Sequence, residues 1–541
     1  MKALKLYLAL ALIVINIAIF FPSKSFGVEV TFSGDFRTRW WFLDLDFNRN
    51  NDNTLTVFDL RFQSIMTAKA SDNVKAVLFL RTNDNGVAGS SGDFGEFPGF
   101  GNLGAQEVGA GGNIIDSNGH PVIGGNWKGR GFGGDSVNII TQEAYVDVRI
   151  PQISPHLSVI AGVPGFDLGP NHLVVGFVDA PGTKIRIDVP DKFDGYFFTM
   201  KLQEGGLGTD FDADAYGFNA SIPVNPNLTI GGYVIYELNK SGINGSATFD
   251  GFATALGKSG DTHVGGPPAA DGGFGPSPTG DPRFTTFPNG LPGTVQDPNF
   301  FGFYGGDKVT TTWFDLNVVG KSGGLNYIAE GVVSTGKIKD QFRGDVDLRG
   351  FALDGTVSYN LTAAKANIGA KFTYASGDDP KTRDKNEEHQ VINSDYIYSR
   401  LFFDNSVNGF TGHGNPANSI VFKLFASAEP FAGTPLRLGV EYLNIRAVED
   451  HFFGTQSIFG GPRFFDGTED KSIGNEVDFY FTYRINDNTV LNGEFDFMVP
   501  GEYVTGKSGV FLDPLTGQFV DNSAAGDDTA IKGGLSIYYT F

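Results

Sequence analysis

The sequence predicts an all-β fold, a transmembrane antiparallel β-barrel of about eighteen strands, with sixteen as the alternative count. Three observations predict it: apolar and polar residues alternate with a period of two, very short connections alternate with very long ones, and the last strand ends in phenylalanine. Alternation with a period of two is typical of strands. Barrels of bacterial outer membranes add short periplasmic turns and long extracellular loops.

Composition narrows the function before any motif is considered. The 541 residues include 75 Gly and 51 Phe but no Cys, and 61 acidic residues face 40 basic ones, for a net charge of −21. Without cysteine there is no disulfide framework, thiolate zinc site or cysteine nucleophile. The excess of acid argues against nucleic acid as a partner, because phosphate binding needs a clustered basic surface.

The N-terminus has the layout of a secretory signal. Lys2 and Lys5 precede an apolar run over 6–21, and small residues follow at Ser25 and Gly27. The run is shorter than the ~20 residues of a membrane-spanning helix, which is the alternative interpretation. We therefore predict a signal peptide over 1–27 that is cleaved after Gly27, and export to the cell outer membrane as an integral protein.

The strands are predicted from segments in which one face is apolar and often aromatic. In 476–484 the odd positions are Val, Phe, Phe and Tyr, and the even positions are Glu, Asp, Tyr, Thr and Arg. The same alternation recurs in 57–65, 142–150, 364–374, 436–442 and 531–541. A soluble sandwich would need a second sheet against the apolar faces, whereas a membrane barrel turns them toward lipid. The weakest strand prediction is 171–189, because Pro181 interrupts it.

The connections divide into two sets, which place 28–541 in a single barrel domain. Short connections are predicted at 70–73, 223–226, 320–324, 361–363, 431–434 and 486–487, and long loops near 83–136, 239–307, 377–418, 447–471 and 501–528. The loops 83–136 and 239–307 are rich in Gly and Pro, which suits either an inward constriction of the barrel or a mobile external cover. Whether the acidic loops bind calcium is left open.

If the apolar faces point to lipid, the opposite faces line the lumen. The candidate pore-lining residues are Arg37, Arg39, Asp59, Arg61, Arg81, Glu143, Asp147, Arg149, Glu476, Asp478, Arg484, Glu494 and Asp496. Acids and bases are similar in number, so one interpretation is a set of cross-strand pairs that neutralise each other. The alternative is a basic stripe of Arg37, Arg39 and Arg61 that guides anionic solutes.

Four segments, in order, resemble the bacterial alginate-export family of outer-membrane porins. They are Gln-Glu-Ala-Tyr-Val-Asp at 142–147, Lys-Phe-Asp-Gly at 192–195, Tyr-Ala-Ser-Gly-Asp-Asp at 374–379, and the hairpin 474–488 with Pro-Gly at 500–501. The resemblance implies a porin fold and porin activity. The family usually has Gly-Arg-Gln where this chain has Gly-Val-Pro-Gly at 162–165, which removes an Arg facing the pore. The resemblance therefore supports a channel more strongly than it supports alginate as the cargo.

These observations predict a porin for the passive diffusion of small hydrophilic solutes and ions. The alternatives are a selective channel for an oligosaccharide or organic anion, and a non-conducting barrel whose loops bind a surface partner. We expect no enzymatic activity, cofactor or metal: the Gly-Glu-Tyr-Val-Thr-Gly-Lys-Ser at 501–508 matches a phosphate-binding loop in letters, but no helical pattern follows it. The expected partners are outer-membrane lipid, the solutes, and the barrel-assembly machinery through the strand ending at Phe541; a monomer and a trimer both remain open.

Overall fold

The computed structural model describes most of the chain except its N-terminus and parts of the long connections. The described residues are 28–44, 55–82, 139–203, 212–240, 284–285, 294–295, 308–339, 345–377, 385–392, 399–401, 416–449, 463–465, 471–501, 509–513, 518–521 and 529–541. The predicted signal peptide, loop 83–136 and most of 239–307 lie outside the described residues.

Eighteen antiparallel strands form one closed barrel, which confirms the predicted fold class. In chain order they are β1 (Glu29–Asp44), β2 (Leu55–Ser71), β3 (Val74–Thr82), β4 (Ile139–Arg149), β5 (Leu157–Val163), β6 (Gly182–Val189), β7 (Phe193–Gln203), β8 (Ala213–Asn225), β9 (Leu228–Asn239), β10 (Lys308–Ser322), β11 (Leu325–Lys339), β12 (Val346–Leu361), β13 (Ala366–Ala375), β14 (Ser419–Ala428), β15 (Leu436–Ala447), β16 (Ser472–Asn486), β17 (Thr489–Pro500) and β18 (Ala530–Thr540).

Pairing of the first and last strands closes the barrel. β1 pairs with β18 from Asp35 opposite Thr540 to Asp44 opposite Ile531. Beyond this ladder, Phe541 and Gly34 exchange two backbone hydrogen bonds of 3.1 Å each. Closure leaves no sheet edge, so every strand has two neighbours to satisfy its backbone, as a bilayer core requires.

The two-residue connections all lie at one end of the barrel, which we call the turn end; the opposite end is the loop end. Turns at 72–73, 226–227, 323–324 and 487–488 each join neighbouring strands in two residues. Gly323 and Gly324 both have positive φ, at 56° and 91°, as a type I′ hairpin turn demands of its two central residues.

The inside and the outside of the barrel reverse the usual pattern of a soluble protein. Large apolar side chains are exposed on the outer face, for example Phe197 at 57% and Leu316 at 69%. Inside, Glu476, Asp478 and Asp496 have no exposed surface at all. An apolar exterior and a polar interior alternate along each strand of a membrane barrel.

The segment predicted as the weakest strand divides into two parts. Only Gly182–Val189, after Pro181, belongs to the barrel, where β6 pairs directly with β5. The preceding residues form a separate hairpin of Gly165–Leu168 paired with Val175–Asp179, which folds into the lumen. Pro164 and Pro181 bracket this hairpin in the sequence, and proline cannot donate a ladder hydrogen bond. We call it the lumen hairpin.

Outside the barrel ladder, the described residues contain short strands and one turn of 3-10 helix, Thr362–Ala364, at the turn end. Arg463–Phe465, Gly509–Asp513 and Gln518–Asp521 form a three-stranded sheet, and Phe284–Thr285 pairs with Thr294–Val295. Lys385–Asn386 adds a short parallel pairing to β12. No helix in the described part of the chain is long and apolar enough to cross a membrane.

Candidate functional site: the lumen

The lumen hairpin is attached to the wall at its base. The Gly165 backbone N–H donates to the Glu143 carboxylate on β4. The Lys184 Nζ of β6 donates to the Gly165 carbonyl oxygen at 2.5 Å and also lies 4.5 Å from the centre of the Phe166 ring. Glu143, one of the candidate pore-lining residues, therefore binds the base of the hairpin.

The tip of the hairpin reaches a wall strand far along the barrel. The Asn171 backbone N–H donates to Glu330 Oε2 of β11 at 2.7 Å. Gly169 has a φ of +74°, and a Cβ there would lie 2.1 Å from Glu330 Oε1. The left-handed φ favours glycine at this position, and a side chain there would have to displace the Glu330 carboxylate.

A second segment, 385–392, packs on the hairpin from the β13–β14 connection. His389 Nε2 is 2.9 Å from the Leu173 carbonyl oxygen, and the Ile392 N–H donates to the Val174 carbonyl at 3.0 Å. Trp313 Nε1 of β10 donates to the Gln390 carbonyl at 2.8 Å. Burial lowers the pKa of His389 to about 4, so the imidazole is neutral at neutral pH. Because a carbonyl oxygen only accepts, the imidazole hydrogen lies on Nε2.

These two segments fill one side of the lumen with apolar side chains. Phe166, Leu168 and the run 173–175 are completely buried. They belong to one core cluster with Tyr233 of β9 and Trp313 of β10, and the cluster continues across β14–β18 to Trp41 of β1. We call this region, from β6 to β13, the hairpin side of the lumen; it is packed like the interior of a soluble domain.

The other side of the lumen is held mainly by charge, although Leu401 is buried in the same core cluster. Segment 399–401 lies against β15–β18, where the N–H groups of Arg400 and Leu401 donate to Glu476 Oε1 at 3.0 and 2.8 Å. Lys532 Nζ donates to the Arg400 carbonyl at 2.5 Å. We call this region, from β15 through β18 to β1, the Arg400 side.

The Arg400 side chain is the centre of that network. Its guanidinium lies 3.3 Å from Glu494 and 3.8 Å from Glu441, and 4.1 Å from the centre of the Tyr480 ring. Burial opposes its charge, but these carboxylates outweigh burial and raise the pKa of Arg400. The guanidinium therefore remains charged at every physiological pH, attached to three wall strands.

Behind Arg400, carboxylates follow one another in register across the wall. Glu441 is opposite Asp478, Asp478 is opposite Asp496, and Asp496 is opposite Lys532. Lys423 Nζ lies 2.5 Å from Glu441 and Lys532 Nζ lies 2.9 Å from Glu494. Lys423 and Lys532 thus neutralise part of the negative charge of this wall. No group of three or more His, Asp or Glu among the described residues is placed to hold a metal ion.

The arginines lie on the first strands of the barrel. Arg37 and Arg61 are directly opposite in register on β1 and β2, and Arg37 is buried at 4% exposure. Arg61 also pairs with Asp35 at 3.3 Å, and the Arg37 guanidinium lies 5.7 Å from the centre of the Tyr538 ring. Arg37 and Arg61 are thus neighbours, interleaved with an acid and an aromatic ring. That Arg37, Arg39 and Arg61 form a stripe that guides anionic solutes remains a prediction.

A cavity of about 240 Å³ lies on the Arg400 side, with Arg39 of β1 and Arg400 both in its lining. Cationic side chains of Arg39, Arg400 and Lys532 line it together with the carboxylate of Glu494. Its further lining includes the aromatic rings of Trp41, Tyr480 and Tyr538 and the polar side chains of Thr482, Asn492 and Ser536. This composition suits a hydrated polar solute better than an apolar one.

The structure places the remaining predicted residues at various depths. Asp147 pairs with Lys75 at 3.3 Å. Arg149 and Arg484 are exposed near the turn end, Arg81 is opposite Gln63, and Asp59 is opposite Arg39 in register. Sequence reasoning missed Arg400 and His389, which lie in connections without a periodic signal, and it missed the lumen hairpin because its apolar residues resemble those of a wall strand.

Taken together, a closed antiparallel barrel with an apolar exterior and a charged interior defines an integral outer-membrane protein, of the porin type of channel. A family model described as alginate export matches residues 306–517. The match includes two of the four resembling segments, 374–379 and 474–501, and confirms the resemblance over that part of the chain. None of the curated protein sequences matches this chain.

Three solved structures are similar to this chain in fold. OccAB4 of Acinetobacter baumannii has 8% identity and a TM-score of 0.45, with 94% of this chain and 98% of that chain covered. OpdQ of Pseudomonas aeruginosa has 10% identity and a TM-score of 0.45, with 95% of this chain and 97% of that chain covered. OpdK of Pseudomonas aeruginosa, solved with vanillate, has 9% identity and a TM-score of 0.43, with 94% of this chain and 98% of that chain covered.

Proposed function

We propose that this protein lets small hydrophilic solutes and ions diffuse passively across the outer membrane, along the Arg400 side of its lumen. The observation that carries this proposal is the contrast between the two sides. The hairpin side is filled by side chains with no exposed surface, whereas a cavity lined by charged and polar groups lies on the other. No covalent chemistry is needed for such transport.

Charge at the cavity supports a moderate preference for anions. Three cationic side chains and one carboxylate line it directly, while Asp478 and Asp496 are fully buried behind them. The sign of the charges that line a narrow passage sets its ion preference. Because the acids are close behind, the preference should be weaker than that of a purely basic passage.

A second candidate is a channel selective for an organic anion or an acidic oligosaccharide. Trp41, Tyr480 and Tyr538 line the same cavity as Arg39. Aromatic faces stack against sugar rings while arginine binds carboxylates in a fixed geometry. The match to the alginate-export family over 306–517 favours this candidate.

Both candidate functions can be tested with the purified, folded protein in a planar bilayer. Its conductance is measured under a potassium chloride gradient. We expect steady conductance with a reversal potential on the anion-selective side. Arg39→Gln should move that potential toward cation preference, whereas Arg349→Gln, on the exterior of β12 with 61% of its side chain exposed, should not.

Other outcomes separate the candidates. A sugar acid that blocks potassium chloride current at low concentration, with the block lost in Arg39→Gln, would favour the selective channel. Absence of conductance from demonstrably folded barrels would overturn both and would point to a non-conducting barrel whose loops bind a partner.

A further inference from the structure

Among the described residues, three pairs of lysines lie directly opposite each other on neighbouring strands of the barrel. They are Lys69 and Lys75, Lys371 and Lys423, and Lys308 and Lys339. Like charges at directly opposite positions repel each other and destabilise the pairing of the strands. Each pair therefore requires negative charge nearby, and the three pairs differ in where that charge comes from.

In two of the pairs, each lysine forms an ion pair with a carboxylate of its own. These ion pairs are Lys69–Asp72 at 2.8 Å, Lys75–Asp147 at 3.3 Å, Lys371–Asp354 at 3.4 Å and Lys423–Glu441 at 2.5 Å. The third pair is Lys308 of β10 and Lys339 of β11, and neither lysine has an ion pair within the described part of the chain. The charge that neutralises this third pair therefore has to come from another molecule.

The third pair lies on the outer face of the barrel at the loop end, above the lipid-exposed surface. The outward positions of β10–β12 form rows in register, and one row is apolar and exposed: Phe314, Val333 and Phe351. The rows that follow toward the loop end are Thr312, Thr335 and Arg349, then Thr310, Lys337 and Asp347, and then Lys308 and Lys339. We call these three polar rows the rim patch. Because aromatic residues mark the edge of the hydrocarbon core, the rim patch lies at the depth of lipid headgroups.

The charge of the rim patch favours an anion. Asp347 pairs with Lys337 at 3.5 Å and with Arg349 at 3.2 Å, and Asp345 pairs with Lys337 at 3.4 Å. These two carboxylates face four basic side chains once Lys308 and Lys339 are included, which leaves a local charge of +2. The whole chain, in contrast, has a net charge of −21. The positive charge is therefore a local feature of this part of the outer face.

We propose that the rim patch binds the phosphorylated headgroup of a lipid in the outer leaflet. A lipid fits better than a soluble anion, because the patch continues directly into the apolar row. One lipid can place its acyl chains against Phe314 and Phe351 while its phosphate reaches Lys308 and Lys339. Lysine and arginine bind phosphate through charge-assisted hydrogen bonds, and the threonine hydroxyls between the two rows can donate to further headgroup oxygens.

Native mass spectrometry of the full chain in detergent, with diphosphorylated lipid A as the probe, tests this proposal. The double variant Lys308→Gln/Lys339→Gln removes the pair without carboxylates. Its matched control is Lys69→Gln/Lys75→Gln, which removes an opposed pair that has its own carboxylates. Each basic residue near an anionic lipid surface contributes about a factor of five to binding. We expect lipid A to bind the wild type and the control equally, and the first variant on the order of 25-fold more weakly.

Two results would overturn the proposal. One is equal binding of lipid A by both double variants, from barrels that remain folded. The other is displacement of lipid A by an equal concentration of inorganic phosphate, which would show that the rim patch binds the ion and not the lipid. If the double variant fails to fold, Lys339→Gln alone should lose about a factor of five relative to Lys69→Gln.

Photo-crosslinking in the outer membrane identifies the occupant of the rim patch. The chain has no cysteine, so a benzophenone maleimide on Thr335→Cys reacts at a single position in the second row. After irradiation we expect a covalent product with lipid. A product with a protein, whether another chain or a second copy of this one, would contradict the proposal.

Discussion

The two sides of the lumen are held by different forces, although one barrel wall supplies both. On the hairpin side, Phe166 and Trp313 are buried among aliphatic side chains, with a few hydrogen bonds to fix the register. On the Arg400 side, a short segment is held by Glu476, Glu494 and Lys532. Apolar packing depends little on salt, whereas interactions between partly exposed charges weaken as ionic strength rises.

This difference indicates along which side of the lumen a solute could pass. Apolar packing keeps the hairpin side closed, since opening it would expose the buried aliphatic side chains of the lumen hairpin to water. The charged network leaves polar groups facing a cavity and can exchange some of its contacts for those of an ion. Substitutions on the packed side should have larger effects than substitutions on the charged side.

Phe166→Ala should have the largest effect. The ring is fully buried and packs 5.6 Å from the centre of Phe198, so its loss should cost about 3–5 kcal/mol of hairpin docking. We expect a larger and noisier single-channel conductance in planar bilayers. Phe431→Ala, at a turn and 56% exposed, is the control; equal changes in both variants would show that the hairpin does not limit the passage.

Acid should loosen the same side through His389. The pKa of His389 is about 4 in the docked segment and 6.5 when the imidazole is exposed. Between pH 4 and 6.5 the docked state therefore binds fewer protons than the undocked state. Docking therefore has its full stability above pH 6.5 and loses on the order of 3 kcal/mol as the pH falls to about 4. Conductance should rise over this window. His389→Gln should remove the His389-linked part of that rise, and an unchanged pH profile in this variant would contradict the assignment.

Arg400→Gln should have the smallest energetic effect and the clearest effect on selectivity. Charge-assisted hydrogen bonds contribute about 2 kcal/mol here, because the side chain is one-third exposed. Removal of its charge should shift the reversal potential toward cations, while Arg400→Lys, which keeps the charge, should shift it much less. Similar shifts in both variants would mean that stacking on Tyr480, not charge, determines the preference.

Much of the fold could be predicted because strand alternation is local. The short turns, the strand count and the division of faces follow from residues two apart, and the closing strand ends at Phe541 as expected. That the assembly machinery reads this ending remains a prediction, as does cleavage after Gly27. The lumen hairpin was not predictable in the same way: its apolar residues match those of a wall strand, and only Pro181 indicated a break.

Only part of the site could be predicted, because some of its residues come together only in the folded barrel. Wall positions such as Asp478 and Asp496 follow from alternation, and the structure places both inside the barrel. Arg400 lies in a connection, and its partners Glu441 and Glu494 are distant in sequence. Which connection folds inward is decided by packing against the completed barrel, because no short-range pattern encodes it.

Thiol accessibility tests most directly whether solutes pass along the Arg400 side. Ser536→Cys on β18 lines the cavity there, and Ser334→Cys on β11 lies on the hairpin side at 5% exposure; the chain has no other thiol. We predict that a negatively charged methanethiosulfonate reagent lowers the current through Ser536→Cys channels and leaves Ser334→Cys channels unchanged. Block at position 334 without block at position 536 would contradict the proposed path.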